Sequence, residues 1–393
     1  MLLEIFLGGA GRLTTFGPLT LRMYLFIIGL GLSVLLLIAG KKLTRTTVVL
    51  MICFFVVYFV AIIRGIAAGA ELNNLFADVK MVSFFFILPF FDIMINDYRA
   101  YTRILKLLKG VSLFLAVAYL IFFAILNSHL IPFLTIYQAM SKPEYFAEFG
   151  FRGEVAVIYK GFIYACIGYF FYFFNQRRPK NTIKILLIFF AVALTLARSY
   201  LLLVSFLSLS YIIYRFLVSR KNRILNMFVI GLVVIGGILL VPILLDALGD
   251  KSVSDSIRFV QIQQVFERIN PLSFLIGHGY GIGVPIRPVH MEITYLEIFH
   301  KQGILGLAFW FLIPTYIGLK YYNYRIYCKS NKKNNPIDAR PFLFGVCFLY
   351  LQSLFNPYLT NSMGMTFLFI SLIVFEKLKK FNEEKNLGLH GDL

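Results

Sequence analysis

Long apolar runs separated by short polar connectors make up most of the chain, and that alternation constrains its fold more than any single motif. The runs fall near 19 to 40, 46 to 63, 79 to 97, 108 to 126, 156 to 175, 184 to 197, 199 to 217, 227 to 245, 303 to 319, 341 to 357 and 364 to 376. A helix of about 20 predominantly apolar residues crosses the hydrocarbon core of a bilayer. The expected fold class is therefore all-α, a polytopic transmembrane helical bundle of about eleven spans. An apolar share of 59% and a mean hydropathy of +0.80 exclude a soluble domain. Residues 1 to 18 hold an apolar stretch too short to span, expected to be re-entrant or interfacial. A twelfth helix missing its beginning is the alternative. No basic n-region precedes an apolar h-region, so a cleavable signal peptide is not expected.

The net charge of +19 would suggest nucleic acid in a soluble protein. Here the basic residues gather in connectors, as in Lys41, Lys42 and Arg45, or Arg99, Arg103, Lys106 and Lys109, and so report topology. No nucleic-acid partner is expected; the bilayer is. The positive-inside rule puts the connectors starting at 41, 98, 176, 218, 320 and 377 in the cytoplasm. Alternation along the spans independently turns the segments near 64 to 78, 127 to 155, 246 to 302 and 357 to 363 outward. Residues 1 to 393 thus read as a single integral-membrane domain with outer loops at 127 to 155 and 246 to 302. Within the larger loop, SVSDSIRFVQIQQVFERIN carries Ile257, Val260, Ile262, Val265 and Phe266 behind Ser and Asp cap candidates. That pattern predicts an amphipathic helix on the membrane or against the bundle. A Gly- and Pro-punctuated stretch follows, and then MEITYLEIFHKQGILGLAFW opens the next span.

The chemistry-bearing residues collect on the outward side. His129, His278, His290 and His300 all fall there, leaving only His390 in the tail. Neither His290, Glu292 nor His300 gives a HExxH spacing, and no metal or other cofactor is expected. The absence of a DxD pair and of a GxxxxGK[ST] loop argues against a nucleotide-sugar enzyme and an ATP-driven pump. The cations Arg152, Lys160, Arg198, Arg258, Arg268 and Arg287 lie on the outer face or at the ends of its spans. Each is either an interface anchor or a group for phosphate or carboxylate, which a planar guanidinium can hold bidentately. Arg198 interrupts AVALTLARSYLLLVSF, where a charge close to hydrocarbon is expensive and by default functional.

The motif LIGHGYGIG, upstream of EITYLEIFHKQGILGL, together with ARSY after an apolar span, resembles the O-antigen ligase and polymerase superfamily, and its Wzy-type polymerase branch in particular. The matching positions are Gly277, His278 and Gly279, then Glu292, Tyr295 and Leu296, then Gly303, Ile304, Leu305 and Gly306. Ligases of the superfamily usually carry His at the polar position; counting back from Gly303 places Glu292 there, with His290 two residues earlier. The resemblance implies an undecaprenyl-diphosphate-linked oligosaccharide as substrate, transferred at the outer leaflet of a bacterial inner membrane, and a chain-length regulator protein as a further partner. It implies Glu292 first and His290 second as the base that takes the acceptor's proton. Arg152, Arg198, Arg258, Arg287 and Lys160 are expected to hold the diphosphate, Arg198 also stabilising the departing charge, and His278, Tyr280 and Tyr295 to meet glycan.

Plainer roles exist for several of these residues. The glycines from Gly277 to Gly283 permit tight turns whatever the function, and Tyr295 and Leu296 suit packing. Glu297 and His300 are expected to solvate the helix entrance, off the side that Glu292 occupies. Two other functions compete. An O-antigen ligase would join finished glycan to lipid A core, and a transporter or flippase would place ionisable groups near the midplane of two repeats. No convincing repeat is visible, and the ionisable groups collect at one face.

Overall fold

The computed structural model describes residues 1–17, 19–128, 130–142, 145, 148–175, 179–218, 252–331 and 336–387. The expected span near 227 to 245, residues 246 to 251 of the large loop, His129 and His390 lie outside them.

The described residues are mainly helical, as expected of a multi-pass membrane protein, and five helices among them are long and apolar enough to cross a bilayer. These are α2 (Leu21–Ile38), α3 (Arg45–Ala67), α6 (Tyr98–Asn127), α10 (Arg198–Val218) and α13 (Thr294–Ser330). Polar side chains start several of them: Thr20 accepts from Met23 N, Thr44 from Thr47 N, and Asp97 from Ala100 N. A short helix α1 (Leu2–Leu7) precedes them and buries Ile5 and Phe6 completely. Arg22 of α2 pins it through the Glu4 carboxylate at 3.0 Å, the Gly9 carbonyl at 2.7 Å and Ser362 Oγ at 2.9 Å.

Two apolar runs fold less simply than their composition predicts. The run near 79 to 97 is broken into α4 (Leu72–Val82), a 3₁₀ turn (Ser83–Ile87) and α5 (Leu88–Met94). Pro89 starts α5, where its missing N–H costs no helical hydrogen bond. The run near 156 to 175 begins as a strand. Following α7 (Phe133–Met140), β3 (Phe149–Arg152) pairs antiparallel with β4 (Ala156–Tyr159) around a turn in which Gly153 has φ +55°. Helix α8 starts only at Ile163 and ends at Phe173. The segment expected to be an outer loop thus carries a hairpin, built where β-branched and aromatic residues suit a pleated surface. A second, two-residue hairpin joins β1 (Thr15–Phe16) to β2 (Leu19–Thr20), so the all-α expectation is corrected at these two places.

The remaining helices among the described residues are α9 (Pro179–Leu194), α11 (Ser252–Glu267), α12 (Pro271–Ile276), α14 (Arg340–Gln352) and α15 (Ser362–Asn386). The core is aromatic: Phe85 stacks on Phe54 with centroids 4.1 Å apart and meets Phe369 and Trp310 edge-on. Ion pairs cap the two ends of the bundle. At one end Asp92 binds Lys377 and Thr44, and Glu376 binds Lys320. At the other lie the loops that carry the candidate site.

Candidate active site

Asn270 and Ser273 form a reciprocal capping box that starts α12, and the chain leaves that helix through Gly277 at φ +78°. The glycine-rich stretch behind it then binds three helices in four consecutive residues. His278 N and Gly279 N donate to the carbonyls of His300 and Lys301, Tyr280 N to Ala61 O, and Gly281 N to Asp78 Oδ2 at 2.7 Å. Gly279 and Gly65 make this approach feasible. A Cβ on Gly279 would lie 2.0 Å from Gly65 N, and one on Gly65 would lie 2.0 Å from Tyr280 O. These glycines therefore do more than turn the chain; they let the loop backbone touch α3.

Helix α13 changes direction at Gly303, whose φ of +66° lies outside the helical region and whose own Cβ would strike the Leu275 backbone at 2.4 Å. The turn ahead of this kink faces inward. Glu297 is 4% exposed and His300 2%, so the expectation that they solvate the helix entrance is wrong. Lys301, 2% exposed, donates to Asp78 Oδ1 at 2.7 Å, Glu297 Oε1 at 2.6 Å and the Val289 carbonyl at 2.5 Å. His290 Nδ1 lies 3.4 Å from Asp78 Oδ1 and 3.5 Å from Glu297 Oε1. Its hydrogen bonds to Asp78 and Glu297 outweigh the cost of burial and push its pKa up to about 9. At neutral pH His290 is an imidazolium whose Nδ1 faces two carboxylates. Asp78, His290 and Glu297 are close enough to share a metal ion, each offering an atom within 4.8 Å of the others, but the Lys301 ammonium already bridges the two carboxylates.

Glu292 turns the other way. Its Oε2 accepts from Arg258 Nε of α11 at 2.9 Å, and its Oε1 from Arg287 at 2.6 Å. Its backbone N–H reaches the fully buried Gln261. Arg258 is in turn within electrostatic reach of Arg152, as is Arg198. Burial first, and then the like charges of Arg198 and Arg258, hold the Arg152 guanidinium below its ordinary pKa. Three arginines from the end of β3, the start of α10 and α11 are thus brought together, with Arg287 joined to them through Glu292. Leu196 adopts φ +51° in the short connection that delivers Arg198 to the first position of α10.

The other expected site residues are placed differently. Lys160 opens the 3₁₀ turn Lys160–Phe162 that leads into α8, and its carbonyl accepts from Tyr358. His278 lies against His300 with ring centroids 4.6 Å apart and planes tilted by 35°; burial, then the charges of Arg268 and Arg64, lower its pKa. Tyr280 is 1% exposed, and its hydroxyl accepts from Gln302. The Tyr295 hydroxyl donates to Tyr350 O and its ring stacks on Phe311. Tyr280 serves packing here and offers little ring to a sugar, whereas Tyr295 is half-buried.

Sequence reasoning missed Asp78, Glu297 and Lys301 as a unit. Glu297 and Lys301 stand at i and i+4, and Asp78 borders an apolar run, which are the signals that could have found them.

No protein-family model matches the chain, and no solved structure matches it. The chain is 27% identical over 368 residues to an O-antigen polymerase of Shigella flexneri, a match covering 92% of this chain and 90% of that protein. The likeness runs through nearly the whole of both chains and supports the Wzy-type polymerase resemblance carried by LIGHGYGIG and its surroundings.

Proposed function

We propose that this chain, a Wzy-type O-antigen polymerase on its likeness to the Shigella flexneri protein, joins undecaprenyl-diphosphate-linked oligosaccharide repeat units at the periplasmic face of a bacterial inner membrane. Eleven crossings, with residues 1 to 18 as a short re-entrant piece and 127 to 155 and 246 to 302 as outer loops, complete this reading. The observation that carries the site assignment is the convergence of Arg152, Arg198 and Arg258 beside the Glu292–Arg258–Arg287 bridge.

An acceptor hydroxyl attacks the anomeric carbon of the donor sugar. The bond from that carbon to the diphosphate oxygen breaks, and its electron pair leaves with the diphosphate. Fixed guanidinium groups stabilise this developing charge without reorganising during the step. Arg152, Arg198 and Arg258 serve there, with Lys160 and Arg287 at the margins. The hydroxyl proton passes to a carboxylate, and Glu292 is the candidate. A diphosphate that recruits Arg258 and Arg287 also frees the Glu292 oxygens to accept it. His290, protonated at neutral pH, has no lone pair to offer at Nδ1 and is better placed to hold the loop than to act as base. His278 borders the same loop and remains the candidate contact to glycan.

Ligation to lipid A core and transport are not favoured. The relative is a polymerase over nearly its whole length, and the polar position holds Glu where ligases usually carry His. The bilayer and a chain-length regulator protein are the remaining partners of this reading. The test is the chain-length ladder of surface glycan in a deletion strain complemented with Glu292→Gln or Arg198→Ala. The first should lower the polymerisation rate about 10²- to 10⁴-fold and the second about 10²- to 10³-fold, with protein still inserted in the membrane. Normal ladders from both variants would defeat the assignment.

A further inference from the structure

The short turn between α14 and α15 touches both halves of the candidate site. Those halves come from separate elements: Arg198 opens α10, and Glu292 lies two residues ahead of Thr294, the first residue of α13. Gln352, the last residue of α14, donates from its side-chain Nε2 to Ser199 Oγ at 3.0 Å, next to Arg198 in the chain. The Ser353 carbonyl accepts from Thr294 N at 3.2 Å, and the Asn356 carbonyl from Thr294 Oγ1 at 3.3 Å. The Tyr358 hydroxyl pairs with that of Tyr200 and donates to the Lys160 carbonyl at 3.3 Å. Residues 352 to 358 therefore hold the two residues after Arg198, the second residue after Glu292, and the backbone at Lys160. Gln352 and Ser353 are fully buried, and Ser353 Oγ is engaged twice, donating to Leu349 O at 2.8 Å and accepting from Leu359 N at 3.1 Å. Buried polar networks of this kind rigidify what they join. Gln352 also carries a cost, because its Oε1 is buried and meets no hydrogen-bond donor. An unpaired buried oxygen destabilises a fold, so an apolar side chain of similar size would serve packing alone better.

We propose that the Gln352–Tyr358 turn fixes Arg198 relative to Glu292, with Gln352 and Tyr358 as positioning residues for the transfer step. The proposal rests on the polymerase reading above and adds what sets the spacing within its site. Neither side chain has to meet substrate. Both act through Arg198 by gripping Ser199 and Tyr200, while the backbone between them holds Thr294 and so the segment that bears Glu292. Groups that stabilise a transition state must be held to within about 0.5 Å. A displacement of about 1 Å can cost ~10²-fold in rate.

The test measures glycan extension by the full-length protein in proteoliposomes, with the lipid-linked repeat unit extracted from the deletion strain as substrate. Gln352→Leu and Tyr358→Phe should each lower kcat about tenfold, and together about 100-fold, while KM changes by less than about twofold. Gln352→Leu should melt close to the wild type, because it removes an unpaired oxygen. In an Arg198→Ala background the same two substitutions should cost nothing further, since both act through that guanidinium. Equal losses in the two backgrounds, an unchanged kcat, or a loss of activity that merely follows melting would each overturn the proposal. A second measurement needs no turnover. Pulsed electron resonance between spin labels at the exposed positions Leu202, in α10, and Ile286, beside Arg287, should give one narrow distance in the otherwise unaltered chain. That distance should broaden when Gln352→Leu and Tyr358→Phe are combined, and an unbroadened one would overturn the proposal. A wild-type protein that extends no glycan, in a chain whose distance does broaden on substitution, would defeat the polymerase reading and leave the turn's hold on Arg198 standing.

Discussion

His290 and Glu292 are two residues apart, yet they join two charge clusters of opposite character. His290 meets Asp78, Glu297 and Lys301 in a closed node, where three of the four side chains are almost wholly buried and two carboxylates face two cations. Glu292 meets Arg258 and Arg287, all three partly exposed, in a group whose positive charge is felt at Arg152. A balanced node locked away from solvent is built to hold elements in place. An open group in which positive charge outnumbers negative suits the anionic donor proposed above.

The largest effect expected from this contrast is on folding. Lys301→Met leaves Asp78 and Glu297 buried beside each other with only the partly exposed His290 imidazolium to balance them, a change that costs about 3 to 5 kcal/mol. Thermal unfolding in detergent should show it as a lower melting temperature, partly restored by adding Asp78→Asn and Glu297→Gln. A variant with wild-type melting and no polymer would move Lys301 from the structural side of the comparison to the chemical one.

A smaller effect follows from His290. Its folded-state pKa is raised from 6.5 to about 9, so the protonated ring stabilises the docked loop fully below about pH 6.5, and the contribution is lost as pH rises through about 9. With 43% of the side chain exposed, solvent screens much of the interaction, and the effect on melting is modest. Melting temperature recorded from pH 6 to 10 should fall with the alkaline limb, and His290→Gln should flatten that limb. An unchanged slope would show that the node holds the loop without the imidazolium.

The smallest effect belongs to Arg287, 40% exposed and sharing Glu292 with Arg258. Exposed ion pairs contribute about 0 to 1 kcal/mol, so Arg287→Ala should leave melting nearly unchanged and lower polymer yield by about fivefold at most. A loss as large as that from Arg198→Ala would extend the essential part of the cationic group out to the loop.

Much of the open cluster was legible from residue types alone, because an arginine beside hydrocarbon is conspicuous wherever the chain later brings it. Arg152, Arg198 and Arg258 were each marked by position, and the fold supplies their proximity. The node was not legible. Asp78 and Lys301 lie far apart in sequence, and their pairing depends on the glycine loop drawing α4 against α13, which no local pattern encodes. The hairpin was hidden for a different reason. Ala156 to Tyr159 continues an apolar run without a break in composition, so only the partner strand at Phe149–Arg152 and the turn at Gly153 reveal where strand ends and helix begins. The breaks at Ser83–Ile87 and Gly303 were likewise invisible to hydropathy, which measures greasiness and not direction.

Gly303 has a mechanical consequence. It divides one unbroken helical tract into a long rod, which answers to the thickness and tilt of the bilayer, and a short head bearing Glu297, His300 and Lys301 that is bolted to α4 and the glycine loop. The rod and the head therefore take different directions, and the head's position is fixed by its own bonds to α4 and the loop rather than by the axis of the rod.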